Sequence, residues 1–267
     1  MTNNAVAAVA DRYRQPMTLG NAVLDIHPIA MVAGITALIV VGLASAGWIV
    51  PLAVSALFVG IAYLAGRGPS YLVTILKLWI AVGLILFALR ALLVKGETVL
   101  VPLGPIAITR EGIENGLRFT TAVMVICGGV TLFFAIVSMR RLMLALERIG
   151  VSPRVSYVIL ASFQAITDLG ATARVVLDAQ KARGIETEGN VFVRARAFFP
   201  VLAPVFLTAM TATEERAIAL DARAFNNPGR HTSLLNLKPL TAVDTVLVVL
   251  SLVVAAAAVT GGILGWF

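Results

Sequence analysis

Five continuous apolar runs constrain this chain more than any other feature. They cover about Pro28–Ala46, Trp48–Ala65, Tyr71–Val94, Leu117–Met139 and Ala242–Trp266. Each approaches the roughly 20 residues a helix needs to cross a bilayer. The runs are unbroken rather than alternating, which favours helices over the strands of a membrane barrel. Of the whole chain, 59% is hydrophobic and only 13% charged, against about 25% charged in soluble domains. The first two runs are separated only by Gly47, Trp48 and Pro51. They are expected to form a tight helical hairpin, the alternative being one span and a re-entrant piece.

Charge sets the expected orientation. The interval between the fourth and fifth runs holds 13 of the 21 Lys and Arg residues, from Arg140 to Lys238. Arg12 and Arg14 precede the first run, and Arg67 follows the second. The opposite loop, Arg90 to Arg118, sets four basic residues against three acids. Basic residues collect on the cytoplasmic side. The N-terminus and the long interval are therefore expected in the cytoplasm and the C-terminus outside, in a multi-pass protein of a cell membrane. No cleavable signal is expected in the polar first 27 residues. The outer loop around Gly96, Pro102, Gly104 and Pro105 breaks any helix, and Thr109 is the expected N-cap of the fourth span.

The long interval is too apolar for disorder and too amphipathic for spans. Arg140 to Ile149 reads as a short helix closed by Gly150. Ser152-Pro153 then supplies an N-cap and a first helical residue. Apolar residues recur near a period of 3.6 from Val155 to Leu177, and Gly184 stands where a left-handed C-cap belongs. A second helix is expected from about Arg196 to Ala224, with Pro200 and Pro204 in its first part and Asn226-Asn227-Pro228-Gly229 as its stop.

Both helices end in Ala-Arg-small: Ala182-Arg183-Gly184 and Ala222-Arg223-Ala224. Small neighbours make a narrow tip that fits a groove. Arginine brings a permanent charge and a planar fork of donors that matches carboxylates. The last helical turn also favours a cation, through its unpaired carbonyls. A lone C-cap arginine is common and contributes only about 0.3–1 kcal/mol. Two of them, each ending a long amphipathic helix in one interval, point instead to docking on an acidic partner.

The run Asp178-Ala179-Gln180-Lys181-Ala182-Arg183-Gly184 resembles the first Ala-Arg-Gly signature of the transmembrane T component of energy-coupling-factor (ECF) transporters. Glu214-Glu215-Arg216-Ala217-Ile218-Ala219-Leu220-Asp221-Ala222-Arg223-Ala224-Phe225 resembles the second. Asp25-Ile26-His27-Pro28 is loosely similar to the family's Asp-Pro-Arg segment, and Ile108-Thr109-Arg110-Glu111-Gly112-Ile113 to its Thr-x-Glu-Gly-Leu segment. The resemblance implies an all-α integral membrane protein of about five transmembrane helices with a cytoplasmic domain of long amphipathic coupling helices. Residues 1–27 would be a cytoplasmic N-terminal segment, 28–139 transmembrane helices 1–4, 140–241 the coupling helices and 242–267 the last transmembrane helix.

The resemblance also implies partners. Ala182, Arg183, Gly184, Ala222, Arg223 and Ala224 would dock on two cytoplasmic ABC ATPases in a prokaryotic inner membrane. A small membrane S component would bind the vitamin or metal ion to be imported. The second signature departs from the family in ending at Ala224, where Gly or Ser is usual. Alanine enters the left-handed region less readily than glycine, so this helix is expected to run on to Asn226 or Asn227.

Other chemistries find little support. No Lys follows a Gly, so the chain has no Walker A phosphate loop. It is expected to be no enzyme and to bind no cofactor, the ATP and Mg being handled by partner ATPases. Cys127 is alone and His27 and His231 are far apart, so no metal site is expected. The basic residues are not interleaved with aromatics, which argues against nucleic acid. Lys77 and Arg90, near opposite ends of the third span, can snorkel to the interfaces, and no acid sits at a span centre. That disfavours the alternative of a stand-alone secondary carrier. A membrane scaffold for another cytoplasmic protein stays open. Asp168 and Arg174 read as surface charges or contacts to the other long helix, and Gly261 and Gly265 as a packing motif.

Overall fold

A computed structural model of the chain describes residues 20–94, 98–103, 106–184, 190–225 and 240–263. Arg12, Arg14, the Asn226–Gly229 stop, His231 and Gly265 lie outside the described residues. The helices among these residues are α1 (Pro28–Ala44), α2 (Ile49–Leu64), α3 (Gly68–Leu93), α4 (Arg110–Ile136), α5 (Met139–Ile149), α6 (Pro153–Ala182), α7 (Val191–Ala222) and α8 (Ala242–Ile263). Of these, α3, α4 and α8 are long and apolar enough to cross a membrane, while α1 and α2 are shorter apolar helices. The fourth span starts earlier than its apolar run, because Thr109 caps α4 by accepting from the Gly112 N–H at 3.1 Å. A short antiparallel hairpin, β1 (Val99–Leu103) and β2 (Ile106–Thr109), fills the loop that the Gly and Pro residues mark as non-helical. The chain divides into two units, 1–149 with 235–267 and 150–234.

In the first unit, α4 is the central post. Gly112, Gly116, Thr120, Met124, Gly128, Leu132 and Ile136, every fourth residue, are all buried. A row at this spacing drifts by about 40° per step around a helix of 3.6 residues per turn. It therefore meets one neighbour after another. A β-carbon on Gly112 would lie 2.9 Å from the Ala91 carbonyl oxygen, and one on Gly116 would lie 3.3 Å from that of Phe87. Further along, Thr120 and Met124 face Gly83, in a π-helical turn of α3 at Trp79–Gly83. Gly128 meets Tyr71 and Phe58, and the Tyr71 hydroxyl donates to the Gly128 carbonyl at 3.0 Å. Near the far end α4 reaches α1, where Gly129 faces Ile39 and Val125 faces Gly42.

These contacts fix chain directions. The Ala91–Gly112 and Tyr71–Gly128 approaches make α3 and α4 antiparallel, and Ile39–Gly129 with Gly42–Val125 does the same for α1 and α4. The Asn21 side-chain amide donates to the Leu64 carbonyl at 2.9 Å, so α2 ends where α1 begins. The first two apolar runs thus form an antiparallel helical hairpin, each helix shorter than the three span-length ones. By contrast α1 and α8 run parallel. The His27 N–H donates to Asp244 at 3.1 Å at one end, and Gly262 lies against the Ala44 carbonyl at the other. The other Asp244 oxygen accepts from the Thr241 N–H at 3.0 Å, closing the N-terminus of α8 in the manner of a capping box. From α5, the Arg141 guanidinium donates to the carbonyls of Leu24 and Ile26. Two charged side chains from distant parts of the sequence therefore hold the segment before α1. Arg90 stacks over the Phe119 ring of α4 at 4.0 Å, a cation–π contact where the sequence offered only snorkelling.

Two predictions follow from this packing. Gly112→Ala forces a methyl onto the carbonyls of Ala91 and Val94 and should cost about 1–3 kcal/mol. Gly34→Ala, with open space around it, should leave the melting temperature in detergent unchanged or raised. The second concerns pH. Burial pushes the His27 imidazole below its ordinary value, Asp244 opposes this, and Arg148 and Arg141 add to the lowering. The fold thus disfavours the imidazolium. This contribution is complete above about pH 6.5 and is lost as pH falls through the lower folded-state value. His27→Asn, which keeps a cap but does not titrate, should flatten the decline in melting temperature between pH 8 and pH 5.

Candidate functional site

The second unit is built on α6 and α7. Ser152 caps α6 by accepting from the Val155 N–H, and Pro153 occupies its first turn, as the sequence indicates. The helix ends at Ala182 with Arg183 as its C-cap residue. Gly184 follows at φ 85 and donates its N–H to the Lys181 carbonyl at 2.9 Å. The left-handed glycine stop is therefore in place.

The second tip differs from expectation. Rather than running on to Asn226 or Asn227, α7 ends at Ala222, and Ala224 itself takes a left-handed φ of 55. The Ala224 N–H donates to the Asp221 carbonyl at 2.9 Å and the Phe225 N–H to the Leu220 carbonyl at 3.0 Å. These two bonds are the Schellman pattern. Among the described residues, Ala224 alone takes a positive φ without being glycine. Such a backbone costs an alanine about 1–2 kcal/mol, so the cap bonds and neighbouring packing outweigh local preference. At its other end α7 starts at Val191, before the expected Arg196, and carries Pro200 and Pro204 inside it.

Three cross-contacts show how the two helices lie. The Tyr157 and Phe225 rings stand 5.4 Å apart, Arg216 pairs with Asp168 at 2.7 Å, and the Gln180 side-chain amide donates to the Pro200 carbonyl at 3.5 Å. Early residues of α6 meet late residues of α7, so the pair is antiparallel. The two tripeptides therefore stand at opposite ends of it, roughly 35 Å apart at 1.5 Å per residue. The Gln180 contact has a local cause. Pro204 has no N–H to give the carbonyl four residues back, and Gln180 reaches that carbonyl instead.

Ala182, Arg183 and Gly184 are all exposed, as are Ala222, Arg223 and Ala224. Among the described residues neither guanidinium has an ionic or hydrogen-bonding partner within the chain. Asp168 touches the other long helix through Arg216, one of the two roles open to it. The pair also exposes large apolar side chains, among them Val158, Ile166 and Val175 on α6 and Phe199, Phe206 and Ile218 on α7. Tyr157 carries no signature, and Gln180 and Phe225 belong to the two signature runs without a contact assigned to either. The signals were present, since Phe225 holds the hydrophobic position after a left-handed cap and Pro204 marks an orphaned carbonyl. Among the described residues there is no cluster of metal-ligating side chains.

The geometry is that of a membrane helix bundle carrying a separate helical unit with two cationic tips. A family profile described as cobalt transport protein, CbiQ, matches residues 24–234, and the chain belongs to that family. It is 32% identical over 192 residues to an energy-coupling factor transporter transmembrane protein of Listeria innocua, covering 68% of this chain and 70% of that one. A protein of the same description from Thermosediminibacter oceani is 24% identical over 189 residues, covering 67% of this chain and 71% of its own length. A putative ABC transporter ATP-binding protein of Bifidobacterium longum is 29% identical over 149 residues, 52% of this chain and 19% of that protein. The chain is accordingly a transmembrane component of the energy-coupling-factor transporter class.

Ala224→Gly removes the left-handed penalty but adds freedom to the unfolded chain. A net gain of about 0.5–1 kcal/mol is expected, read as a higher melting temperature with unchanged helix content by circular dichroism.

Proposed function

We propose that this chain is the subunit that passes ATPase motion to a substrate-binding membrane partner in an ABC-type importer. The observation carrying this reading is the pair of exposed arginine caps, unpartnered among the described residues, at opposite ends of one antiparallel helix pair. Each arginine would enter an acidic groove on one of two cytoplasmic ATPases, presenting its fork of donors to carboxylates. The exposed apolar side chains of α6 and α7 would grip the small S component that binds a vitamin or metal ion, since large apolar patches mark partner sites. The antiparallel pair reaches both ATPases at once, so their approach on binding nucleotide would load both ends. The likeness to a protein named as ATP-binding supports ATPase partnership. The excess of basic residues after α4 supports a cytoplasmic location for this unit, with the C-terminus across the membrane.

Tagged protein purified from its native host should bring down an ATPase bearing a Walker A sequence and a small membrane protein. Arg183→Glu and Arg223→Glu should each lower ATPase recovery by about tenfold or more, because a buried charge pair is replaced by a repulsion. Unchanged recovery in the double variant would remove the docking role.

A further inference from the structure

The two tips reach the same outline by different means. At Arg183 the turn is made by Gly184, which enters the left-handed region without penalty, and a β-carbon there would meet nothing within 4 Å. At Arg223 the turn is made by Ala224 at φ 55, against its local preference. The next residue, Phe225, is half-buried and packs its ring on Tyr157, near the start of α6, at 5.4 Å and an interplanar angle of 55°. Its N–H closes the outer bond of the cap on the Leu220 carbonyl. A residue held by both its backbone and its ring fixes the chain on the far side of Ala224. Without that hold, an alanine at this position returns to right-handed helix, the turn is lost, and Arg223 becomes an interior helical residue pointing elsewhere.

We infer that Tyr157 and Phe225 are positioning residues for the second tip. Their ring contact holds Ala224 in its left-handed turn and so sets the direction in which Arg223 projects. The inference rests on the docking role proposed above for Arg223, but its structural half is measurable on this chain alone. It also accounts for an alanine at a place where glycine would be easier. The restraint is supplied from α6, so the second tip keeps its shape only while α7 lies against α6, whereas the glycine at the first tip carries its turn within itself.

The test is residue-resolved hydrogen exchange on the full chain in detergent, with ATPase recovery measured in parallel. Phe225→Ala should speed exchange of the Ala224 amide and the amide at position 225 at least tenfold. It should leave the Gly184 amide within twofold and lower ATPase recovery several-fold. Phe225→Tyr, which keeps the ring, should restore both. Tyr157→Leu, which removes the ring from the other side, should reproduce the Phe225→Ala result and serves where that variant folds poorly. Unchanged exchange at the second tip would overturn the inference, as would equal acceleration at both tips. Loss of ATPase recovery in Arg223→Glu but not in Phe225→Ala would overturn the positioning role while leaving docking intact. Unchanged recovery in Arg223→Glu would instead remove docking itself, with the exchange result still deciding whether the ring pair holds the cap.

Discussion

The membrane unit depends on the close approach of backbones along α4. Three of the seven residues in its buried row are glycines, and at two of them the neighbouring carbonyl oxygen stands where a β-carbon would need room. Between helices in lipid there is little hydrophobic driving force, and packing at short range carries the association. The winding row touches α3, then its π-helical turn, then α3 and α2 together, while Val125 and Gly129 beside it meet α1. The bundle is therefore organised around a post rather than as a ring of equal members. The parallel partner α8 joins it through α1, anchored by one carboxylate that also caps its own helix.

Much of this architecture was legible in the sequence, because membrane spans are written in length and apolarity. The five apolar runs, Thr109 and Ser152 as caps and the glycine stop at Gly184 each depend on a few adjacent residues. What could not be read was set by distant neighbours. The winding glycine row in α4 was hidden because every residue around it is also apolar, and a packing stripe in a span has no polar face to stand out against. Gly112 and Gly116 have the same four-residue spacing as Gly261 and Gly265, and only the contacts at the first pair show it to be a packing face. In the sequence Asp244 is a lone acid at the mouth of the last span. Its role needs His27, which lies at the other end of the sequence.

The second tip shows the same division in miniature. Local propensity argues that alanine does not turn a helix end, so the helix should continue. Propensity is a weak prior and tertiary context overrides it. Here the context includes a ring on another helix and two backbone bonds. Both tripeptides were visible as a repeated pattern. Their placement at opposite ends of one pair follows only from three contacts between residues far apart in the chain. The exposed apolar side chains of the pair were likewise present in the periodicity, but only the structure shows that so many are left uncovered within this chain.

An antiparallel pair with an exposed arginine tip at each end has a mechanical property that neither helix has alone. A squeeze applied at the two tips pushes α6 along its axis one way and α7 along its axis the other. The load is carried as shear along the seam. The polar contacts described across it include a half-exposed ion pair between Arg216 and Asp168, worth under about 1 kcal/mol, and a long amide contact. Helices that slip past one another move in steps set by the 5.4 Å pitch. The seam between α6 and α7, rather than either shaft, is the compliant member of this unit.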